Sequence, residues 1–290
     1  MIFEQRIANV NLTTNEEAIV QYILENKLQV LQMSTRDIAK ATYTSSSTVV
    51  RLSQKLGYQG FENLKESYHQ ELRYQQTHFQ NIDANLPFNA QSTDMEIAGI
   101  MATLMKETAT DTLALFSHDN LQKAVQILLK AEHIYIYTME NHLYLAELFK
   151  FKMLRINRHA IVEHSYGNQV YSSYLATPKD CAIVISYSGE IKANLEKVRN
   201  YVSLGIPTIA ITSIGDNSLR NIATVALDMT TREKLHSKIA GFTTEYSIEL
   251  ILNTLYSCVY ANDYTNASKS IERTKRLETT RFSTYDPIKE

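Results

Sequence analysis

Two hydrophobic rhythms divide the chain. Up to residue 76, apolar residues recur at helical spacing between short polar breaks, and no stretch alternates in the manner of a strand. The run NEEAIVQYILENKLQVLQ places Ile19, Tyr22 and Ile23 on one face. It begins after Thr13 or Thr14, either of which can cap a helix, with Glu16 or Glu17 three residues on as the capping-box partner. Shorter helices fit STRDIAKAT behind Ser34 and SSTVVRLSQKLG behind Ser45, the latter stopping at Gly57, and FENLKESYHQELRYQQ supplies a fourth. Residues 77–94 are polar, lack a period and contain a proline, so they read as a linker. Beyond it, helices over roughly 95–116 and 119–130 lead to strands at HIYIYT, HAIVEH, CAIVISY, PTIAITS and TVALDM, with helical stretches between most of them, one over 141–156. Strands alternating with helices predict a parallel sheet covered on both faces. A last helix over GFTTEYSIELILNTLYSCVYAN precedes a polar tail.

The pattern therefore predicts an all-α N-terminal domain (1–76), a linker (77–94), an α/β domain whose parallel sheet is flanked by helices (95–264) and a polar tail (265–290), frayed or disordered. A length of 290 residues, 44% apolar, suits two such domains. No apolar run reaches the roughly 18 residues of a membrane span, and the first residues carry early acids with no apolar signal core, so a cytoplasmic location is expected. Cys181 and Cys258 lie in apolar stretches far apart, which fits buried thiols rather than a disulfide or a metal set. No cofactor or metal is expected; His159 and His164, at the ends of a short strand, point to opposite faces.

A net charge of −2 gives no global positive field for nucleic acid, so any DNA contact must be local. Between Ser34 and Lys65, the basic residues Arg36, Lys40, Arg51, Lys55 and Lys65 face only Asp37 and Glu62. The same segment has helix-turn-helix spacing. Ala39 is small where two helices cross, and Val49, Leu52 and Leu56 face inward. The outward face then offers the short hydroxyls Ser45, Ser46, Ser47 and Thr48 and the cations Arg51 and Lys55, with Arg36 on the preceding helix. Hydroxyls at a helix N-terminus suit phosphates and base edges, and long cations suit guanine and backbone. The alternative is a helical hairpin with a solvated basic face. Tyr43 and Thr44 occupy turn positions that usually hold glycine and an aliphatic residue.

The run STRDIAKATYTSSSTVVRLSQKLGYQGFENLK, and RLSQKLGYQGFENLK above all, resembles the N-terminal domain of the RpiR family of bacterial transcription regulators. The resemblance implies a C-terminal SIS (sugar isomerase) domain, an α/β module that binds phosphosugars, where the strand-helix alternation lies.

The segment DCAIVISYSGEIKANLEK carries the candidate ligand chemistry. An apolar strand ending in small hydroxyl residues before a helix is a way to build an anion site, because free N–H groups and the helix dipole converge there. SYSGEI matches the second SIS phosphate loop at Ser186, Ser188, Gly189 and Glu190, while Ile191 stands where the family has Thr. The resemblance puts the first loop in TMENH, with Thr138 and Glu140 at glycine positions, Asn141 beside them and His142 at the serine position. Bulky side chains there limit backbone approach, and an ionised Glu140 repels phosphate, whereas Asn141 and His142 can donate. For Ser186 and Ser188 the plain alternative is helix capping.

No catalytic residue is assigned. Glu245, Glu249 and His236 are available for acid-base work, but their spacing singles none of them out. The expectation is a non-enzymatic regulator of carbohydrate metabolism genes, a homodimer or homotetramer on a palindromic double-stranded DNA operator, sensing a phosphosugar effector that shifts the arrangement of subunits. The alternatives are a sugar-phosphate isomerase with a helical appendage and a regulator whose SIS domain is only a dimerisation scaffold.

Overall fold

The structure, a computed structural model, describes residues 3–8, 10–78, 82–139, 142–275 and 287. Five helices come first: α1 (Phe3–Ala8), α2 (Thr14–Val30), α3 (Thr35–Ala41), α4 (Ser46–Lys55) and α5 (Phe61–His78). Their starts follow local chemistry. The Thr13 amide and hydroxyl donate to Glu16 at 2.8 and 3.1 Å, Ser34 and Asp37 close a capping box, and the Ser45 Oγ accepts from the Thr48 amide at 3.2 Å. The inward faces pool Ile19, Ile23, Ile38, Val49, Leu52 and Leu64 into one small core. Each such burial is worth about 1.5–3 kcal/mol, which is what holds so short a bundle together.

The second domain opens with α6 (Asp94–Leu115) and α7 (His118–Lys130), then runs β1 (His133–Tyr137), α8 (His142–Arg155), β2 (His159–Val162), α9 (Tyr166–Leu175), β3 (Cys181–Ser186), α10 (Lys192–Ser203), β4 (Thr208–Ser213), α11 (Ser218–Ile222), β5 (Val225–Met229), α12 (Phe242–Asn262) and α13 (Tyr264–Lys275). The five strands pair in parallel in the order β2-β1-β3-β4-β5. Strand alternation sorts the two faces: Ile134, Ile136, Cys181, Ile183 and Ile185 pack under α7, α8 and α12, while Tyr137, Ala182 and Val184 pack with Leu195, Val198 and Tyr201 of α10. The strand order reverses between β1 and β3, so a crevice opens at the carboxyl ends of those strands, where doubly wound folds place ligands.

Two expected segments differ from their reading. Residues 77 and 78 belong to α5 and 79–81 lie outside the described residues, but the rest of the linker is fastened to the second domain. The Lys234 and Ile239 amides donate to the side-chain and main-chain oxygens of Asn85 at 2.6 and 3.1 Å, and Ala84 is buried. The predicted tail is helical up to Lys275: α13 buries Ala267 and packs against α8. One apolar residue per turn is too weak a sequence signal to reveal that docking. Both cysteines are free thiols, Cys181 within β3 and Cys258 within α12. No helix among the described residues is long and apolar enough to cross a membrane.

Candidate functional site

The first candidate surface lies on α3 and α4. Val49, Leu52 and Ser53 are buried, which leaves Ser46, Ser47, Thr48, Arg51 and Lys55 on the outer side, with Arg36 exposed on α3. The N-terminal hydroxyls form a local net, the Ser45 Oγ lying 2.8 Å from both Ser47 Oγ and Thr48 Oγ1. Tyr43 adopts the left-handed conformation (φ 52°) that explains why glycine is usual at its position, and its ring stands out into solvent. The turn is closed by the Thr44 amide on the Ala39 carbonyl (2.8 Å) and by a hydroxyl contact between Thr42 and Thr44 (2.9 Å). Polar pairing thus replaces the aliphatic packing expected there.

The cations are not equivalent. Lys55 Nζ is bound to Glu16 on α2 at 2.7 Å, and Lys65 is bound to Glu62 and the Met33 carbonyl, each at 3.0 Å. Burial works to raise the Glu16 carboxyl, yet hydrogen bonds from Lys55 and Thr13 hold it below its ordinary value. Arg36, Lys40 and Arg51 are exposed and, among the described residues, enter no ion pair.

The second candidate surface is the carboxyl edge of the sheet. Ser186 ends β3, buried, with its Oγ accepting from the Gly189 amide at 3.3 Å; the Ser188 Oγ accepts from the Glu190 amide at 3.3 Å. The serines therefore shape the turn rather than cap α10, whose N-cap residue is Ile191 with no side-chain cap bond. The substitution of Ile for a hydroxyl residue leaves the N-terminus of α10 open toward the crevice. Gly189 has φ 68°, and a Cβ there would stand 2.1 Å from Asn217 Oδ1, so the loop lies flush against the β4–α11 connection. Glu190 turns away from the crevice: its carboxylate accepts from the Ser218 amide at 2.9 Å.

The first loop is described only in part. Thr138 is fully buried, and its hydroxyl has no hydrogen-bond partner among the described residues. His142 opens α8, at the same edge. Asn141 and Glu140, the other two residues expected here, lie outside the described residues. Of the acid-base candidates, His236 sits in the loop before α12, and Glu245 and Glu249 lie on α12. In the same region Glu233 is buried; it accepts from the Thr243 amide (2.6 Å) and the Thr243 and Thr244 hydroxyls (2.8 and 2.6 Å) and so caps α12. Among the described residues no group of three or more His, Cys, Asp or Glu could hold a metal.

Several site-edge residues escape a sequence reading. Asn194 and Lys197 on α10 are buried beside Tyr137 and Gln169, and Thr212 and Ser213 end β4 with buried hydroxyls. The helical period does hold a trace of the first pair, because it puts Asn194 and Lys197 on the same face as Val198 and Tyr201.

The two surfaces are joined. Arg6 on α1 donates to the Leu56 carbonyl at the end of α4 (2.9 Å) and to the Asp216 carbonyl between β4 and α11 (2.7 Å), and its guanidinium lies 4.5 Å from the Tyr58 ring centroid. A cleft of about 410 Å³, lined by Ser67 and Glu71 of α5 and by Ile214, Asp216 and Arg220, runs along this junction.

Residues 4–75 match the helix-turn-helix domain of the rpiR family, and residues 127–256 match the SIS domain. Among solved structures, the Vibrio vulnificus NanR protein complexed with ManNAc-6P is similar with a TM-score of 0.62 at 21% identity, over 94% of this chain and 96% of that one. The sugar isomerase domain of an RpiR transcription factor from Sphaerobacter thermophilus is similar with a TM-score of 0.56 at 18% identity, over 62% of this chain and 99% of that one. At these identities the likeness is one of fold.

Proposed function

The chain belongs to the RpiR family, a helix-turn-helix domain followed by a SIS domain, and we propose that it is a cytoplasmic regulator of carbohydrate metabolism genes whose hold on DNA responds to a phosphosugar. The observation that carries this reading is the open N-terminus of α10 at the switch point, fronted by Ser186, Ser188 and the positive-φ Gly189. Such a turn offers backbone N–H groups and hydroxyls to a phosphate, and the similar fold of NanR was solved with the phosphosugar ManNAc-6P. His142, at the start of α8, completes the site from the first loop.

DNA is met by α4, with Ser45, Ser46, Ser47 and Thr48 at its leading end and Arg51 on its flank, and Arg36 reaching backbone from α3. Two copies are needed for a palindromic operator. Helix α8 supports a homodimer, because Tyr144, Leu148, Phe151 and Leu154 form a solvent-facing apolar stripe at spacings of four and three residues. Within one chain, the route from effector to DNA runs from the SYSGE loop through Asn217 and Asp216 to Arg6 and the end of α4. A ligand that moves the loop shifts the population of that arrangement.

The test is binding of the full chain to the DNA beside its own gene, over a range of salt. Affinity should fall steeply with salt, and a sugar phosphate should both raise the melting temperature and change the DNA affinity, with Ser188→Ala abolishing the ligand effect. Absence of specific DNA binding sinks the regulator; turnover of aldose or ketose phosphates would favour the isomerase reading.

A further inference from the structure

Lys197 is a cation where the inner face of α10 otherwise carries packing residues. It is 4% exposed, its Nζ donates to Gln169 Oε1 at 2.6 Å and Asn194 Oδ1 at 3.3 Å, and it lies 5.1 Å from the Tyr137 ring centroid. These partners converge on the carboxyl edge. Asn194 stands in the first turn of α10, and Gln169 Nε2 reaches the Thr138 carbonyl at 3.4 Å. Tyr137 pairs with Val184 in the β1–β3 register, which sets Thr138 next to the end of β3 and its SYSGE turn.

Two groups at this place have unused hydrogen-bonding capacity. Asn194 Nδ2 and Thr138 Oγ1 are buried, in residues 1% and 0% exposed, and neither meets a partner among the described residues. A buried donor left unpaired in the protein alone is costly; Asn194 stands next to the ammonium in the first turn of an uncapped twelve-residue helix, and Thr138 is joined to the ammonium through Gln169. Burial lowers the Lys197 ammonium to about 8, so it is still mostly charged at neutral pH. A purely structural residue in this position would need no charge.

We propose that Lys197, with Asn194 and Thr138, forms the cationic floor of the effector site and binds the phosphate of a sugar phosphate from below, opposite the Ser186–Ser188 turn. This deepens the sensor reading and rests on it. The floor supplies, from Lys197 and Asn194 of α10 and the Thr138 hydroxyl, a fixed positive charge and buried donors in place of the close backbone approach that glycines would give at the first-loop positions held by Thr138 and Glu140. Gln169 steers the ammonium: its amide oxygen holds Nζ while its amide nitrogen is held by the Glu163 carbonyl at 2.9 Å.

The experiment uses the full chain with three probes, inorganic phosphate, a hexose 6-phosphate and the unphosphorylated hexose, read by thermal shift and calorimetry. Both phosphate probes should stabilise the wild type saturably and the neutral hexose should not. Lys197→Met, nearly isosteric, should fold and lose about tenfold or more in affinity for the sugar phosphate. Asn194→Asp, which sets a carboxylate beside the ammonium in a helix first turn that favours acids, should fold and lose affinity likewise. If both variants bind as the wild type does while Ser188→Ala does not, the floor is overturned and the sensor stands. If no phosphate probe stabilises the wild type, the sensor reading falls and the floor with it.

Discussion

The guanidinium of Arg6 donates to the carbonyl of Asp216 at 2.7 Å, across 210 residues of sequence, and so ties the helix-turn-helix domain to the loop that carries Asn217. Its other arm holds the carbonyl of Leu56, the residue that caps the end of α4, which it can approach because Gly57 (φ 85°) has no Cβ; one there would stand 2.6 Å from Nη1. Arg6→Ala should leave sugar-phosphate affinity within about twofold while at least halving a coupling free energy typically of 1–3 kcal/mol. Anisotropy on operator DNA, with and without effector, measures it; an undiminished effector response in Arg6→Ala removes Arg6 from the route.

On the outer side of α4, where DNA is proposed to bind, the two flanking cations should part company. Arg51 is exposed and free to reach a duplex, so Arg51→Ala should cost about 1–3 kcal/mol of operator affinity and lower the salt slope by about one. Lys55 is tied to Glu16 through a bridge that is one-third exposed on the lysine side, so Lys55→Ala should reduce stability by up to about 1 kcal/mol, with a smaller change in salt slope than Arg51→Ala. Parallel salt titrations and urea melts separate the two; equal slopes would return Lys55 to the DNA contacts.

Gly189→Ala should destabilise the chain by about 2 kcal/mol or more, because the backbone is left-handed and the new methyl would meet Asn217 Oδ1 at 2.1 Å. Relief by the second change Asn217→Ala, visible as a non-additive double-mutant cycle in urea melts, would assign the cost to that contact.

Stability should carry a signature of Lys197. Its folded value near 8 lies below the ordinary 10.5, so between those pH values the unfolded chain binds more protons than the folded one and stability rises with pH. Below about pH 8 the unfavourable contribution is fully present. The stability advantage of Lys197→Met over wild type, plus whatever constant offset the lost hydrogen bonds add, should therefore shrink from pH 8 to 10.5. A pH-independent difference would mean the ammonium is not destabilised by burial.

The α8 stripe should be an interface. Phe151 is 56% and Leu154 57% exposed, with Tyr144 at 81%. Phe151→Glu should shift the mass in light scattering from dimer to monomer and weaken operator binding through lost bivalency. A dimer that survives the substitution places the interface elsewhere.

Much of this protein is determined by its sequence alone. Period and caps give four of the five N-terminal helices and the strand-helix alternation, because Ser34 with Asp37 and Ser45 with Thr48 act within one helical turn and strand alternation acts within one strand, whereas the six-residue α1 has too short a period to be read. The SYSGE turn is legible for the same reason: Ser186 and Ser188 bond amides two or three residues away. What they do there is not legible, since capping and turn-shaping use the same residues and only the backbone geometry separates them. Lys55, Lys197 and Arg6 show the general limit. Each is defined by a partner 28 to 210 residues distant, Glu16, Gln169 and Asp216, and no local spacing encodes which distant oxygen a cation meets. The tertiary structure alone decides that Lys55 is held in a bridge, that a lysine lies buried between Gln169 and Tyr137, and that one arginine spans the two domains, because long-range pairing depends on how packed elements are brought together rather than on their order in the chain.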